Sequence, residues 1–218
     1  MPKRSSVLFS IVLLAASGVL LRASHSFPEP AVDIPAASAT GNETAVLAGG
    51  CFWGMEGLFE RIKGVKKVVS GFAGGEKSTA HYETVSTGKT GHAESVQVTF
   101  DPKQITYGQL LMVYFSVGHD PTELNRQGPD SGTQYRSAIF YTNDEQKKVA
   151  EAYVKQLNAA KVFSRPIVTQ ILPLKGFYAA EAYHQHFLDN NMTYPYIVYN
   201  DLPKLSALKK QYPEFCKR

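Results

Sequence analysis

Residues 44–62, TAVLAGGCFWGMEGLFERI, hold a strand, a turn and the start of a helix in one unbroken run. Thr44–Gly49 is short and apolar and ends in Gly49-Gly50, the pattern of a buried strand entering a tight turn. Phe52, Met55, Leu58, Phe59 and Ile62 then recur at helical spacing, so a helix begins next to Cys51. A buried strand feeding directly into a helix is half of a β-α-β unit, and the rest of the chain is read outward from it.

The next segments supply the other half. Val65–Phe72 and Glu94–Phe100 read as strands, the second with Val96, Val98 and Phe100 alternating. Thr106–Val117 has an amphipathic helical pattern, and Ser137–Tyr141 is a further strand. Asn143 or Asp144 caps a helix reaching Ala160, Ile167–Leu172 reads as a strand, Ala179–Leu188 as a helix, and Pro203–Gln211 as a short helix stopped by Pro213. The order predicts an α+β fold: a ferredoxin-like split β-α-β core with additional C-terminal helices and long loops.

The chain has 218 residues, 44% hydrophobic and 19% charged, with two cysteines. That composition excludes intrinsic disorder and a disulfide-dense mini-protein. The net charge of +4 includes Lys3, Arg4 and Arg22, which lie in an acid-free stretch of 26 residues. The remainder carries 20 basic and 19 acidic residues, so no basic stripe supports a nucleic-acid partner. Lys3 and Arg4 precede an apolar run from Val7 to Leu21, too short at 15 residues for an ordinary membrane span of about 20. Residues 1–26 are therefore expected to be a signal peptide cleaved before Phe27, or an uncleaved N-terminal anchor. Either reading puts the protein outside the cytoplasm, periplasmic or secreted. Residues 27–44 are rich in Pro and Ala and read as a linker, and residues 45–218 as the folded domain.

Other motifs fail on chemistry or spacing. Gly88-Lys89-Thr90 lacks the earlier glycine of a phosphate loop, because Glu83 stands there. Gly71, Gly74 and Gly75 follow a strand without a following helix, so they form no dinucleotide fingerprint. His184 and His186, two apart on the expected helix, point to different faces, and no metal is expected. Cys51 is different: two glycines precede it and a helix follows. Free N–H groups and the helix dipole at that position favour a thiolate and should lower its pKa.

The pentapeptide Gly50-Cys51-Phe52-Trp53-Gly54 resembles the active-site signature of the class A peptide methionine sulfoxide reductases. Gly91-His92-Ala93-Glu94, with Tyr82 ahead of it, is similar to the family's acid-bearing motif. His119-Asp120-Pro121-Thr122, Gln127-Gly128, Asp130 and Gln134-Tyr135-Arg136-Ser137 resemble its second signature. Tyr183-His184-Gln185 and Pro195-Tyr196-Ile197-Val198 extend the likeness, which covers about residues 45–212.

The resemblance implies reduction of the S-epimer of methionine sulfoxide, free or in proteins, by a monomer without a cofactor. It implies Cys51 as the nucleophile and Glu94 as the acid that protonates the departing oxygen. Tyr82 and Tyr135 would hydrogen-bond that oxygen, Phe52 and Trp53 would hold the methyl group, and Asp130 would position the substrate. A sulfenic acid on Cys51 would then be resolved as a disulfide by Cys216 and returned by a thioredoxin-like reductant. Here the chain departs from a common family pattern, since no Gly-Tyr-Cys run follows Tyr183-His184-Gln185. Tyr194 and Tyr196 are the candidates for the C-terminal tyrosine of the site. The alternative of a different class is a non-catalytic extracellular domain stapled by a Cys51–Cys216 disulfide.

Overall fold

The computed structural model describes residues 27–36 and 41–217. The expected signal or anchor, residues 1–26, lies outside the described residues. Strand β1 (Glu43–Gly49) passes into helix α1 (Phe52–Glu60), which returns to β2 (Val65–Ala73). A short helix α2 (Tyr82–Val85) precedes β3 (Ala93–Phe100), which lies antiparallel between β1 and β2. Helix α3 (Tyr107–Val113) runs on through a π-helical turn to Gly118. After a small hairpin of β4 (Arg126–Gln127) and β5 (Asp130–Ser131), β6 (Ser137–Tyr141) pairs antiparallel with β1. The central order β6-β1-β3-β2 is that of the split β-α-β core.

Two additions widen the sheet. Helix α4 (Asp144–Ala159), capped by the Asn143 side chain, leads to β7 (Gln170–Pro173), parallel to β6. β8 (Phe177–Ala179) pairs with the end of β2 at the opposite edge. The period-2 alternation of β1 divides the core. Ala45 and Leu47 face the helices with Phe59, Leu110 and Tyr153, whereas Val46 and Ala48 meet Phe140 and Ala138 on the other side.

The structure corrects the sequence reading in the stretch expected to be one helix, Ala179–Leu188. It contains the end of β8, a 3-10 turn (Ala182–His184) and the start of helix α5 (Phe187–Asn190). Tertiary bonds override the apolar spacing. The Gln185 amide accepts from Ser70 N–H at 3.0 Å and donates to the Ser70 carbonyl at 2.9 Å, acting as one more residue of ladder beside β2. His186 follows in a left-handed conformation, φ 54°, which no continuous helix accommodates. The chain ends in α6 (Leu202–Gln211), with Pro203 in its first turn, and a 3-10 turn (Pro213–Phe215).

The segment expected as a linker is docked where it is described. Tyr153 donates to the Pro28 carbonyl at 2.6 Å, and Asp33 accepts from Gly108 N–H at 2.8 Å at the start of α3. Ile34 is buried in the main core, a contribution of about 1.5–3 kcal/mol on the usual scale for a buried side chain of this size. Among the described residues no helix is long and apolar enough to cross a membrane.

Candidate active site

Cys51 is the N-cap of α1, and the turn before it demands glycine. Gly50 has φ +91°, and a Cβ there would stand 2.6 Å from the Gln127 side chain. Gln127 is itself fixed by two 3.0 Å hydrogen bonds with the Asp120 backbone. The second signature therefore packs on the first and sets where the sulfur sits.

Glu94 lies in β3, beside β2, with Phe72 as its ladder partner. One carboxylate oxygen accepts from Phe52 N–H, the first amide of α1, at 3.1 Å. This single bond ties the carboxyl to the helix end that carries Cys51. Glu94 is almost wholly buried, and desolvation raises its pKa to about 8, against the Phe52 N–H and with help from Asp130. At neutral pH it is largely protonated and able to donate. Arg136 holds the loop leading to it, donating to the carbonyls of Gly91 at 2.8 Å and His92 at 3.0 Å. His92 Nδ1 in turn accepts from Gly75 N–H at 3.2 Å.

The expected depression of the Cys51 pKa is overturned. Burial pushes the thiol well above its ordinary range, and the charges of Glu94, Asp201 and Asp130 push in the same direction. The Trp53 N–H at the helix start opposes them and is outweighed. Desolvation of a thiolate at this buried position, next to carboxyl groups, exceeds what one helix end supplies. Protonation of Glu94 removes one of those charges, so the acid's proton and the sulfur's reactivity are linked.

The predicted tyrosines surround this pair. Tyr82 and Tyr135 are half-buried, and both pKa values are raised chiefly by desolvation and next by Glu94, with Cys51 contributing to each. Both phenols therefore remain protonated donors. Asp130 accepts a short hydrogen bond from the Tyr196 hydroxyl. Tyr196 also packs edge-on against Trp53, with centroids 6.0 Å apart, and its hydroxyl feels the charge of Cys51. Of the two candidates it is the one that contacts both Asp130 and Trp53. Tyr194 is half-exposed and touches Phe187 instead.

Phe52 and Trp53 form the apolar side, with different placements. Phe52 is fully buried between Phe72 and His184, forming the floor. Trp53 is partly exposed, stacked on Phe187 at 3.8 Å and donating from Nε1 to His184 Nδ1 at 3.1 Å. That bond assigns the proton of His184 to Nε2, a buried atom without a partner. Desolvation lowers the pKa of His184, so the ring is neutral.

Sequence reasoning missed His184 and Asp201. The first was weighed only as a metal ligand, although Tyr183-His184-Gln185 was part of the family motif. Asp201 carried no signal. It is fully buried, bonded to Lys204 at 3.2 Å, and lies so close to α1 that a Cβ on Gly54 would meet its Oδ1 at 1.9 Å.

Cys216 is not in this cluster. It forms a β-bridge with Ile62, beyond the other end of α1, flanked by Lys63 N–H to Phe215 carbonyl at 2.7 Å and Lys217 N–H to Arg61 carbonyl at 2.8 Å. Both cysteines are free. The helix between Cys51 and Ile62, at about 1.5 Å per residue, separates Cys51 from the residue that Cys216 bridges by on the order of 15 Å, far beyond a disulfide. The structure thus contains no Cys51–Cys216 staple.

A buried thiol, a buried protonated carboxyl tied to the same helix end, and phenols around an apolar floor suit attack on a polar S–O bond in an otherwise apolar group. The comparisons agree. The family described as "Peptide methionine sulfoxide reductase" matches residues 43–215. The chain is 63% identical over 176 residues to peptide methionine sulfoxide reductase MsrA 2 of Mesorhizobium japonicum, covering 81% of this chain and 90% of that protein. It is 51% identical over 193 residues to MsrA 2 of Synechocystis, covering 88% and 90%. Among solved structures, reduced Mxr1 from Saccharomyces cerevisiae aligns with TM-score 0.63 and 38% identity over 72% of this chain and 89% of that one. Methionine sulfoxide reductase A of Corynebacterium diphtheriae aligns with TM-score 0.61 and 37% identity, covering 77% and 84%. Site and comparisons together lead to one conclusion: the chain belongs to the peptide methionine sulfoxide reductase family, and it is an oxidoreductase that reduces methionine sulfoxide.

Proposed function

We propose that Cys51 and Glu94 carry out this reduction on the S-epimer, in peptides and as the free amino acid, by a sulfenic acid route. Cys51 Sγ attacks the sulfoxide sulfur while Glu94 gives its proton to the oxygen. The transient bond between the two sulfurs and the S–O bond of the substrate both break as oxygen passes to the cysteine sulfur. Methionine leaves with two electrons gained, Cys51 becomes a sulfenic acid with two lost, and the thiol's proton restores Glu94. Tyr82 and Tyr135 donate to the oxygen as its charge develops. Phe52 and Trp53 hold the methyl group, and Asp130 with Tyr196 orients the substrate. The observation that carries this reading is the 3.1 Å bond from Phe52 N–H to Glu94, which joins acid and nucleophile at one helix end.

Regeneration is assigned to Cys216. Its thiol condenses with the sulfenic acid, releasing water and forming a disulfide, which a thioredoxin-like dithiol reduces. What supports this is a second free thiol, on a segment held to the connection between α1 and β2 by backbone bonds at Arg61 and Lys63, the Lys63 side chain and the packing of Phe215. Release of residues 213–217 from Ile62 must come first. Lys3, Arg4 and the apolar run Val7–Leu21 support export of the protein, cleaved or anchored, to repair oxidised proteins outside the cytoplasm as a monomer. Mass determination of the mature N-terminus distinguishes cleavage from anchoring.

The test of the catalytic reading is a single-turnover assay on reduced protein with each epimer of N-acetyl-methionine sulfoxide. One methionine is released per protein from the S-epimer and none from the R-epimer. Release from both epimers at equal rates overturns the stereochemical assignment, and release by Cys51→Ser overturns the nucleophile.

A further inference from the structure

A second cluster of chemistry-bearing side chains lies along α1, outside the site just described. Glu56 and Glu60 are four residues apart and so share one face of the helix. His186 reaches that face from the turn before α5. One ligand atom from each of the three lies within 4.8 Å of the others. The His186 Nδ1 stands 2.8 Å from Glu60 Oε1 and 4.0 Å from Glu56 Oε1.

The local structure is built around this meeting. Glu56 is 1% exposed, an unusual position for a carboxylate without a cationic partner in contact. Its Oε2 accepts from Ser70 Oγ at 3.0 Å and from His186 N–H at 2.9 Å. Its Oε1 is buried, has no hydrogen-bond partner, and faces the imidazole. The His186 N–H bond holds that residue at φ 54°, a conformation that costs a non-glycine residue free energy. The Arg61 charge reaches Glu60 but forms no ion pair with the cluster, because its guanidinium is held by Asp189 at 2.5 Å and by the Gly57 carbonyl at 2.7 Å. A lone hydrogen bond between His186 and Glu60 accounts for one of the two carboxyl groups and leaves Glu56 Oε1 unexplained.

We propose that Glu56, Glu60 and His186 form a binding site for a divalent transition-metal cation of the zinc class. One imidazole nitrogen and two carboxylate oxygens suit such an ion, with a fourth position open to water on the exposed side of His186. Bonds of about 2.0–2.2 Å place tetrahedral ligand atoms roughly 3.4 Å apart, between the two spacings measured from Nδ1. An exposed ring makes that adjustment with a sub-ångström shift. The ion would clip α5 to α1. Because Phe187, the residue after His186, stacks on Trp53, the clip would also hold the apolar wall of the substrate site.

Calorimetric titration of Zn²⁺ alone into the Cys51→Ser/Cys216→Ser protein, which removes competing thiols, tests the site. One equivalent binds with a rise in Tm. In the same background His186→Asn, chosen because Asn tolerates the left-handed backbone, and Glu60→Gln each weaken binding at least tenfold. Co²⁺ in place of Zn²⁺ gives visible bands of a nitrogen–oxygen site that vanish in His186→Asn. Absence of saturable binding, or an affinity unchanged by both substitutions, overturns the proposal.

Discussion

The two ends of α1 use a cysteine in opposite ways. At the N-terminal end Cys51 is enclosed, its environment determined by a glycine turn, a buried carboxyl and the aromatic floor. At the C-terminal end Cys216 is partly exposed and lies on a strand-like tail that contacts the domain through backbone hydrogen bonds around Ile62. The Cys216 thiol donates to the Tyr212 carbonyl at 3.4 Å, and the carboxylate that acts on it is Glu214, the smallest of the influences on its pKa. Burial raises both thiols, but at Cys216 Lys209 and Lys63 pull back, whereas at Cys51 anions add to the rise. The difference teaches that the two cysteines of this chain are not preassembled: on the proposal that Cys216 resolves a sulfenic acid at Cys51, the tail must leave Ile62 before the two sulfurs can meet.

The largest effect that can break this contrast is at Cys51. Cys51→Ser abolishes methionine release in a single turnover, whereas any residual one-equivalent burst would move the chemistry elsewhere. Glu94→Gln slows the reduction step by about 10²–10⁴-fold, the range typical of a positioned acid. Because the Glu94 pKa is about 8 and the acid form is required, the parent's single-turnover rate falls as pH rises through about 8. Stopped-flow measurement across that range should find this falling limb missing in Glu94→Gln. Cys216→Ser leaves the first equivalent intact and removes recycling by thioredoxin; full recycling would make Cys216 a bystander. Hydrogen exchange at Lys63 and Lys217 amides should quicken on adding methionine sulfoxide, and unchanged protection would show that the tail stays docked. The smallest effect is on stability. Gly54→Ala drives a methyl into Asp201 and should lower unfolding free energy by about 1–3 kcal/mol in urea titrations, with α1 retained.

What could be read in advance follows the range of the forces involved. The glycine pair, Cys51 and the apolar spacing of α1 act within a few residues, so the strand–turn–helix was legible. Alternation in β3 and the Asn143 cap were local in the same sense. Ala179–Leu188 was misread because the determining bonds run from Gln185 to Ser70, 115 residues away. Tyr196 was one of two equal candidates until its hydroxyl met Asp130, and Asp201 had no sequence signal because its partner is the open face of Gly54. The Cys51 pKa failed for a related reason. The helix end was visible in the sequence, but the anions gathered around it come from three other parts of the chain.

The Gln185 amide has a consequence beyond completing one rung. β8 covers β2 from Gly71 to Ala73, Ala180 N–H reaches the Ser70 carbonyl at 2.9 Å, and Gln185 occupies the Ser70 N–H that would otherwise face outward. Farther along the same edge, Lys66 and Lys67 are exposed. An unprotected strand edge recruits other extended chains, and charge or side-chain pairing along it discourages them. Finishing the edge with a side chain, and carrying lysines farther along it, makes this side of the sheet a poor template for another strand.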